Sequence, residues 1–199
     1  MDISDAKVRK RPSSPPENRS KAFGLGIVAG RFQPLHLGHC DVIDTALRLC
    51  RRVGVMIGSS QESRTRNNPL SYEERSRLLR QVYRDSIEIC PLPDIGVGNT
   101  ELWGMYLLKT AELYFGERPE VIISGEEDRR LSWFGPGSDI LELQVIKARK
   151  ISATDLRKLL AARDTASAAL SVPTGILPAL DYIAYRVADS ADGIPTESL

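Results

Sequence analysis

Phe23-Gly24-Leu25-Gly26-Ile27-Val28-Ala29-Gly30-Arg31-Phe32-Gln33-Pro34-Leu35-His36-Leu37-Gly38-His39 reads as a buried strand, a polar loop and the start of a helix. Phe23 to Ala29 is a short apolar run of the kind that fills a strand covered on both faces. Gly30 ends the run and opens the loop. From Gly38 to Arg51 the apolar residues Val42, Ile43, Ala46, Leu47 and Cys50 recur at helical spacing. Such a junction points free backbone amides and the positive end of a helix dipole at whatever lies above the strand, and an anion suits that position.

The same alternation continues along the chain. Val53 to Ile57 is a second strand, ending in Gly58-Ser59-Ser60, and a polar loop follows to Pro69. Ser71-Tyr72-Glu73-Glu74 is a capping box that starts a helix burying Leu78, Leu79 and Val82. Ile87 to Cys90 is a third strand, Glu101 to Phe115 a helix, and Val121 to Ser124 and Ile140 to Ile146 two more strands. Thr154 to Arg163 and Ile176 to Val187 close the pattern as helices. Strands alternating with helices call for an α/β domain with a mainly parallel sheet covered by helices on both faces. Ligands of such sheets bind at the carboxyl ends of the strands, so the loops after Ala29, Ser60, Cys90 and Ser124 are expected on one rim. The domain is expected over residues 22–187. Residues 1–21 hold Lys7, Arg9, Lys10 and Arg11, then Ser-Ser-Pro-Pro, and read as a disordered basic tail; residues 188–199 read as a loose polar end.

Composition narrows the function classes. Of 199 residues, 42% are hydrophobic and 27% charged, which fits a folded domain. Lys plus Arg (27) against Asp plus Glu (26) leaves a net charge of +1, unlike the strongly basic balance of a duplex-binding protein. No apolar stretch is long enough to cross a bilayer, and the amino terminus does not read as a secretory signal. The expected partners therefore exclude nucleic acid and membrane. Cys40, Cys50 and Cys90 are odd in number and far apart, which fits a reducing, cytoplasmic setting in which each is a small buried apolar group.

The chain has two histidines, His36 and His39, both in the first loop. Two ligands are too few for a closed zinc site, and no cysteine lies near in sequence to complete one. Beside Arg31, whose planar fork suits phosphate, and Gly38, which admits a ligand close to the backbone, the imidazoles read as donors to phosphate oxygens. The bland reading is that both cap their own helix. A second loop-to-helix junction, Ile151-Ser152-Ala153-Thr154-Asp155-Leu156-Arg157, puts an arginine in a first helical turn. There it opposes the dipole and costs stability unless an anion is present. Ser152 or Thr154 can cap that helix. Lys147, Arg149 and Lys150 just upstream read equally as a solvated face or as phosphate contacts.

Together the two junctions resemble the HxGH nucleotidylyltransferase superfamily, with its early His-x-Gly-His and late Ile-Ser-x-Thr-x-x-Arg. Gly-Arg-Phe-Gln-Pro-x-His-x-Gly-His is similar in particular to the nicotinamide mononucleotide (NMN) adenylyltransferases of the archaeal type and their bacterial relatives. Gly58-Ser59-Ser60-Gln61-Glu62-Ser63, Asn68-Pro69 and Glu74-Arg75 resemble further motifs of that family, whereas Arg64 stands where archaeal members often have histidine. The resemblance implies a Rossmann-like nucleotidylyltransferase fold and transfer of AMP from ATP to NMN, giving NAD and pyrophosphate. It implies catalytic roles for Arg31, His36, His39 and Arg157, and ATP contacts from Gly30, Phe32, Gln33, Gly38, Ser152 and Thr154. It also implies a nicotinamide site at Asn99 and Trp103, with magnesium bound mainly through ATP phosphates. Without the family, Trp103 reads as a core aromatic, and Trp133 as a lid or packing residue. Gly125, Glu126 and Asp128 either line the nucleotide site or form a charged surface loop. Archaeal members self-associate, so a homo-oligomer is expected. Nicotinate mononucleotide, phosphopantetheine, riboflavin phosphate or a cytidylyl acceptor, and a non-catalytic nucleotide-binding regulator, are the alternatives. No Gly-x-x-x-x-Gly-Lys-Ser/Thr loop is present, so no appended kinase is expected.

Overall fold

The computed structural model describes residues 21–96, 101–125, 133–134, 138–146 and 151–192. The amino-terminal tail, Asn99, Glu126, Asp128, Lys147, Arg149 and Lys150 lie outside the described residues. Among the described residues five strands form one sheet: β1 (Phe23–Gly30), β2 (Cys50–Gly58), β3 (Glu88–Leu92), β4 (Val121–Gly125) and β5 (Leu141–Val145). Every pairing is parallel and the order is β3-β2-β1-β4-β5. Strand order reverses between β1 and β4, and a crevice opens above their carboxyl ends.

The described helices are α1 (Leu37–Leu49), α2 (Tyr72–Tyr83), α3 (Glu101–Phe115), α4 (Ala153–Ala161), α5 (Thr165–Ala169) and α6 (Leu180–Asp192). Side-chain alternation splits the core across the sheet. Val53, Val55 and Ile57 of β2 face the cluster built with α1, α2, α4 and α6, while Met56 faces the cluster built on α3. Gly54 belongs to the second face and makes room for it. A Cβ there would stand 2.5 Å from Phe115 Cε2 and 2.7 Å from Ile27 Cδ1.

Helix starts follow the expected chemistry. The Ser71 amide donates to Glu74 Oε2 at 2.6 Å and the Glu74 amide to Ser71 Oγ at 3.3 Å, which is the reciprocal box at α2. Ser152 caps α4 by accepting from the Asp155 amide at 3.4 Å.

Two departures lie in the carboxyl-terminal third. The expected helix from Ile176 is a 3₁₀ turn, Thr174–Ala179, with α6 beginning only at Leu180. Pro178 sits inside that turn and cannot donate to an α-helical ladder. The helix then runs to Asp192, through the segment after 187 expected to be loose. Its polar residues have partners: Ser190 Oγ donates to the Arg186 carbonyl at 2.8 Å, and Arg186 Nη2 to the Pro69 carbonyl at 3.1 Å. The short α5 was not expected, because five residues are too few to show a period. Its start is fixed by Asp164, which accepts from the Ser167 amide at 3.0 Å.

Gly54→Ala is expected to destabilise the fold by about 1–3 kcal/mol, the usual cost of overpacking a full core. A lower urea midpoint at unchanged slope checks it.

Candidate active site

The chain leaves β1 at Gly30 and turns through Phe32, which is buried at φ +51°. Gln33 fixes the turn by pairing with a backbone unit as another strand would. Its Nε2 donates to the Leu70 carbonyl at 2.8 Å, and its Oε1 accepts from the Leu70 amide at 3.0 Å. The two histidines then cap α1 reciprocally. The His36 amide donates to His39 Nδ1, and the His39 amide to His36 Nδ1, both at 3.3 Å. Their rings stack with centroids 3.7 Å apart, and Phe32 leans on His39 at 4.8 Å. With Nδ1 accepting in both rings, the neutral imidazoles carry their protons on Nε2. The caps thereby set both rings as Nε2–H donors.

Beneath this turn lies Arg75, fully buried at 0% exposure. Its Nη1 donates to the carbonyls of Arg31 (2.9 Å) and Gly58 (2.7 Å), its Nη2 to Ser59 (3.1 Å) and its Nε to Ser71 (3.1 Å). One planar fork joins the loops after β1 and β2 to the start of α2. Burial pushes the guanidinium down to about 10, so it stays charged at neutral pH.

The second junction meets the first across 124 residues. Arg157 Nη1 donates to the Gln33 carbonyl at 2.9 Å, and its Nη2 to Thr154 Oγ1 at 3.3 Å. Burial lowers the Arg157 pKa, and the positive charge of Arg31 lowers it further. Among the described residues, none of Arg31, Arg75 and Arg157 makes an ion pair with a carboxylate. By contrast, Arg52, near the amino-terminal end of β2, is held by Glu88 and Glu117 at 2.8 and 2.7 Å. The like charges of Arg31 and Arg157 repel one another, and an anion between them relieves that cost.

These segments enclose a cavity of about 640 Å³. Gly30, Arg31, Gln33, His36, His39 and Arg157 line it, together with Leu92, Asp94, Trp103 and Trp133. The loops after β1, β2 and β3 contribute through Arg31, Ser59 and Asp94, and β4 through its last residue, Gly125, so the carboxyl ends of four strands share one rim. Trp103 and Trp133 contact each other with centroids 4.6 Å apart at 37°.

A family model described as cytidylyltransferase-like matches residues 27–159. The chain belongs to this family. Over 106 residues it is 37% identical to the nicotinamide-nucleotide adenylyltransferase of Saccharolobus solfataricus, covering 49% of this chain and 60% of that one. Over 145 residues it is 32% identical to the protein of the same name from Aeropyrum pernix, covering 70% and 80%. Its fold is similar to that of a bifunctional NMN adenylyltransferase/ADP ribose pyrophosphatase from Francisella tularensis, solved with AMP and a manganese ion. That likeness has a TM-score of 0.66 at 20% identity, over 83% of this chain and 52% of the other. The chain thus spans 60% of the Saccharolobus relative and about half of the Francisella protein.

Within this cytidylyltransferase-like domain, the structure brings together Gly30, Arg31, Phe32, Gln33, His36, His39, Trp103 and Arg157 on the cavity wall. Gly38, Ser152 and Thr154 stand behind it: Gly38 is buried in the first turn of α1, Ser152 caps α4, and Thr154 holds the Arg157 guanidinium. Asp94, which sequence reasoning did not single out, also lines the cavity. Its signal was its place two residues past β3, on the rim the alternating pattern had already marked. Trp133 is 3% exposed and forms part of the wall. No local motif could have shown this, because its segment carries none. Glu74, part of the capping box, also accepts from Tyr182 and stands 3.4 Å from Arg186 Nε, which ties α6 to α2. Among the described residues no helix is long and apolar enough to cross a membrane, and Cys40, Cys50 and Cys90 are buried and in no disulfide.

Arg75→Met leaves carbonyls of both rim loops unsatisfied and is expected to cost about 3–5 kcal/mol of stability. Arg75→Lys keeps the charge without the fork and is expected to fall between. Urea unfolding of both variants checks the order.

Proposed function

We propose that the protein is a nicotinamide-nucleotide adenylyltransferase that joins the 5′-phosphate of NMN to the AMP part of ATP, releasing pyrophosphate. The observation that carries this reading is the Arg157–Gln33 contact, which closes two distant loop-to-helix junctions over one cavity. The names of the archaeal relatives support it.

In this reading an oxygen of the NMN phosphate attacks the α-phosphorus of ATP, and the bond to the departing pyrophosphate breaks. A phosphate monoester loses its second proton near pH 6, so the nucleophile is ionised at neutral pH and needs no general base. The chain's task is to align the two phosphates and to meet the charge that grows on the leaving group. Arg31, Arg157 and the Nε2–H groups of His36 and His39 are the donors for that charge. The amide-rich starts of α1 and α4 add their dipoles. Gly30, Phe32, Gln33 and Gly38 shape the ATP side, while Ser152 and Thr154 hold α4 and Arg157 in register. Trp103 stacks on the cationic pyridinium, an attraction of about 0.5–2 kcal/mol, and Asn99 hydrogen-bonds its carboxamide.

Among the described lining residues the one carboxylate is Asp94. Its charge favours a cationic ring with a neutral amide over an acid. Among the described residues no group of three or more His, Cys, Asp or Glu could hold a metal ion. A magnesium ion would take its oxygens mainly from ATP phosphates and water, and would neutralise phosphate charge there.

Pyrophosphate release from ATP is expected with NMN, faster than with nicotinate mononucleotide. A clear preference for the acid would reassign the acceptor, and silence with every mononucleotide would leave a nucleotide-binding protein without this activity. His39→Ala is expected to lower turnover about a hundredfold, the loss typical of one charge-stabilising donor. It also removes half of the α1 cap, worth about 1 kcal/mol, so the thermal midpoint falls by only a few degrees.

A further inference from the structure

The two indoles of the cavity come from separate parts of the chain. Trp103 lies on α3, and Trp133 in the connection between β4 and β5. What lets them meet is the residue after Trp103. Gly104 is buried within α3, where glycine is a poorer helix former than alanine. A Cβ at that position would stand 2.4 Å from the Trp133 carbonyl oxygen and 3.0 Å from both Trp133 Cβ and Phe134 Cε1. The shortest of these contacts is to backbone, so no change of rotamer relieves it. Residues 133–134 would have to lift off the helix.

We propose that Gly104 is a positioning residue for the acceptor's ring. By presenting no side chain it seats the Trp133 backbone on α3, and this holds the Trp133 indole against Trp103 as a wall of the cavity. The proposal rests on the reading of the protein as an adenylyltransferase with a pyridine mononucleotide acceptor. Trp133 also lines a second cavity, of about 330 Å³, together with Met105, Leu108 and Phe134 among others. A methyl group at 104 shifts the aromatic wall and leaves Arg31, His36, His39 and Arg157, which are built on other elements, where they are.

Gly104→Ala in the full chain tests this. Two contacting indoles add an exciton couplet to the far-ultraviolet circular dichroism, readable without substrate, and the variant is expected to lose most of it. Its KM for NMN is expected to rise about three- to tenfold, equivalent to one aromatic contact, with kcat and the KM for ATP unchanged. Trp133→Leu is expected to give the same rise, and adding Gly104→Ala to it to give no more, since the two act through one contact. The proposal is overturned by an intact couplet with unchanged acceptor KM, by an equal rise in both KM values, or by a further rise in the double variant. Should Gly104→Ala not fold, Trp133→Leu decides alone: an unchanged acceptor KM overturns the proposal. If the wild-type protein turns over no mononucleotide while Gly104→Ala still loses the couplet, the functional reading fails and the seating of Trp133 by Gly104 stands.

Discussion

The buried guanidinium of Arg75 holds four backbone carbonyls, from the loops after β1 and β2 and from the start of α2. Loops that leave neighbouring parallel strands carry carbonyls with no strand to pair with, and burying them unpaired is costly. A planar group with five donors can satisfy several of them at once, and no other side chain has that geometry. The charge cannot be discarded, so burying it is unfavourable, as its lowered pKa records. In return the carbonyls of Arg31, Gly58 and Ser59, at the ends of β1 and β2, are tied to one buried group.

The electrostatics of the two ends of the sheet differ for a reason that bears on function. Near the amino-terminal end of β2, Arg52 is neutralised by two carboxylates. At the carboxyl ends, Arg31, Arg75 and Arg157 stand near one another with carbonyl, hydroxyl or no protein partners among the described residues. Arg75 is there as a structural clasp, but a fold that needed Arg31 and Arg157 only for packing would pair them as it pairs Arg52. Leaving positive charge unpaired, at the starts of two helices whose dipoles are also positive there, makes sense where phosphate supplies the missing negative charge.

In His36 and His39 the structural role, capping their own helix, is compatible with the chemical one proposed for them. Capping their own helix engages Nδ1 of each ring, and engaging Nδ1 is what leaves the proton on Nε2. The cap is thus the means by which neutral imidazoles become oriented donors. A pair of serines would cap the helix as well and would present no ring nitrogen to the cavity.

Much of the fold was legible because it is written locally. Strand runs, the helical spacing of α1, the Ser71–Glu74 box and the glycine ends of β1 and β2 each depend on residues a few positions apart, and parallel order follows from their alternation. The two loop-to-helix junctions were legible for the same reason, each being a contiguous motif. The carboxyl-terminal third was read less well. The run of α6 past 187 depends on Arg186 reaching Pro69, a partner 117 residues away, and the start of the helix depends on Pro178 diverting the preceding turn. Only the tertiary structure decided that Arg157 meets Gln33, that Arg75 is a buried clasp, and that Trp133 closes on Trp103 over a glycine. Those contacts join segments separated by loops of unconstrained path. A motif can state which chemistry a residue carries, but folding alone sets which distant residue it touches.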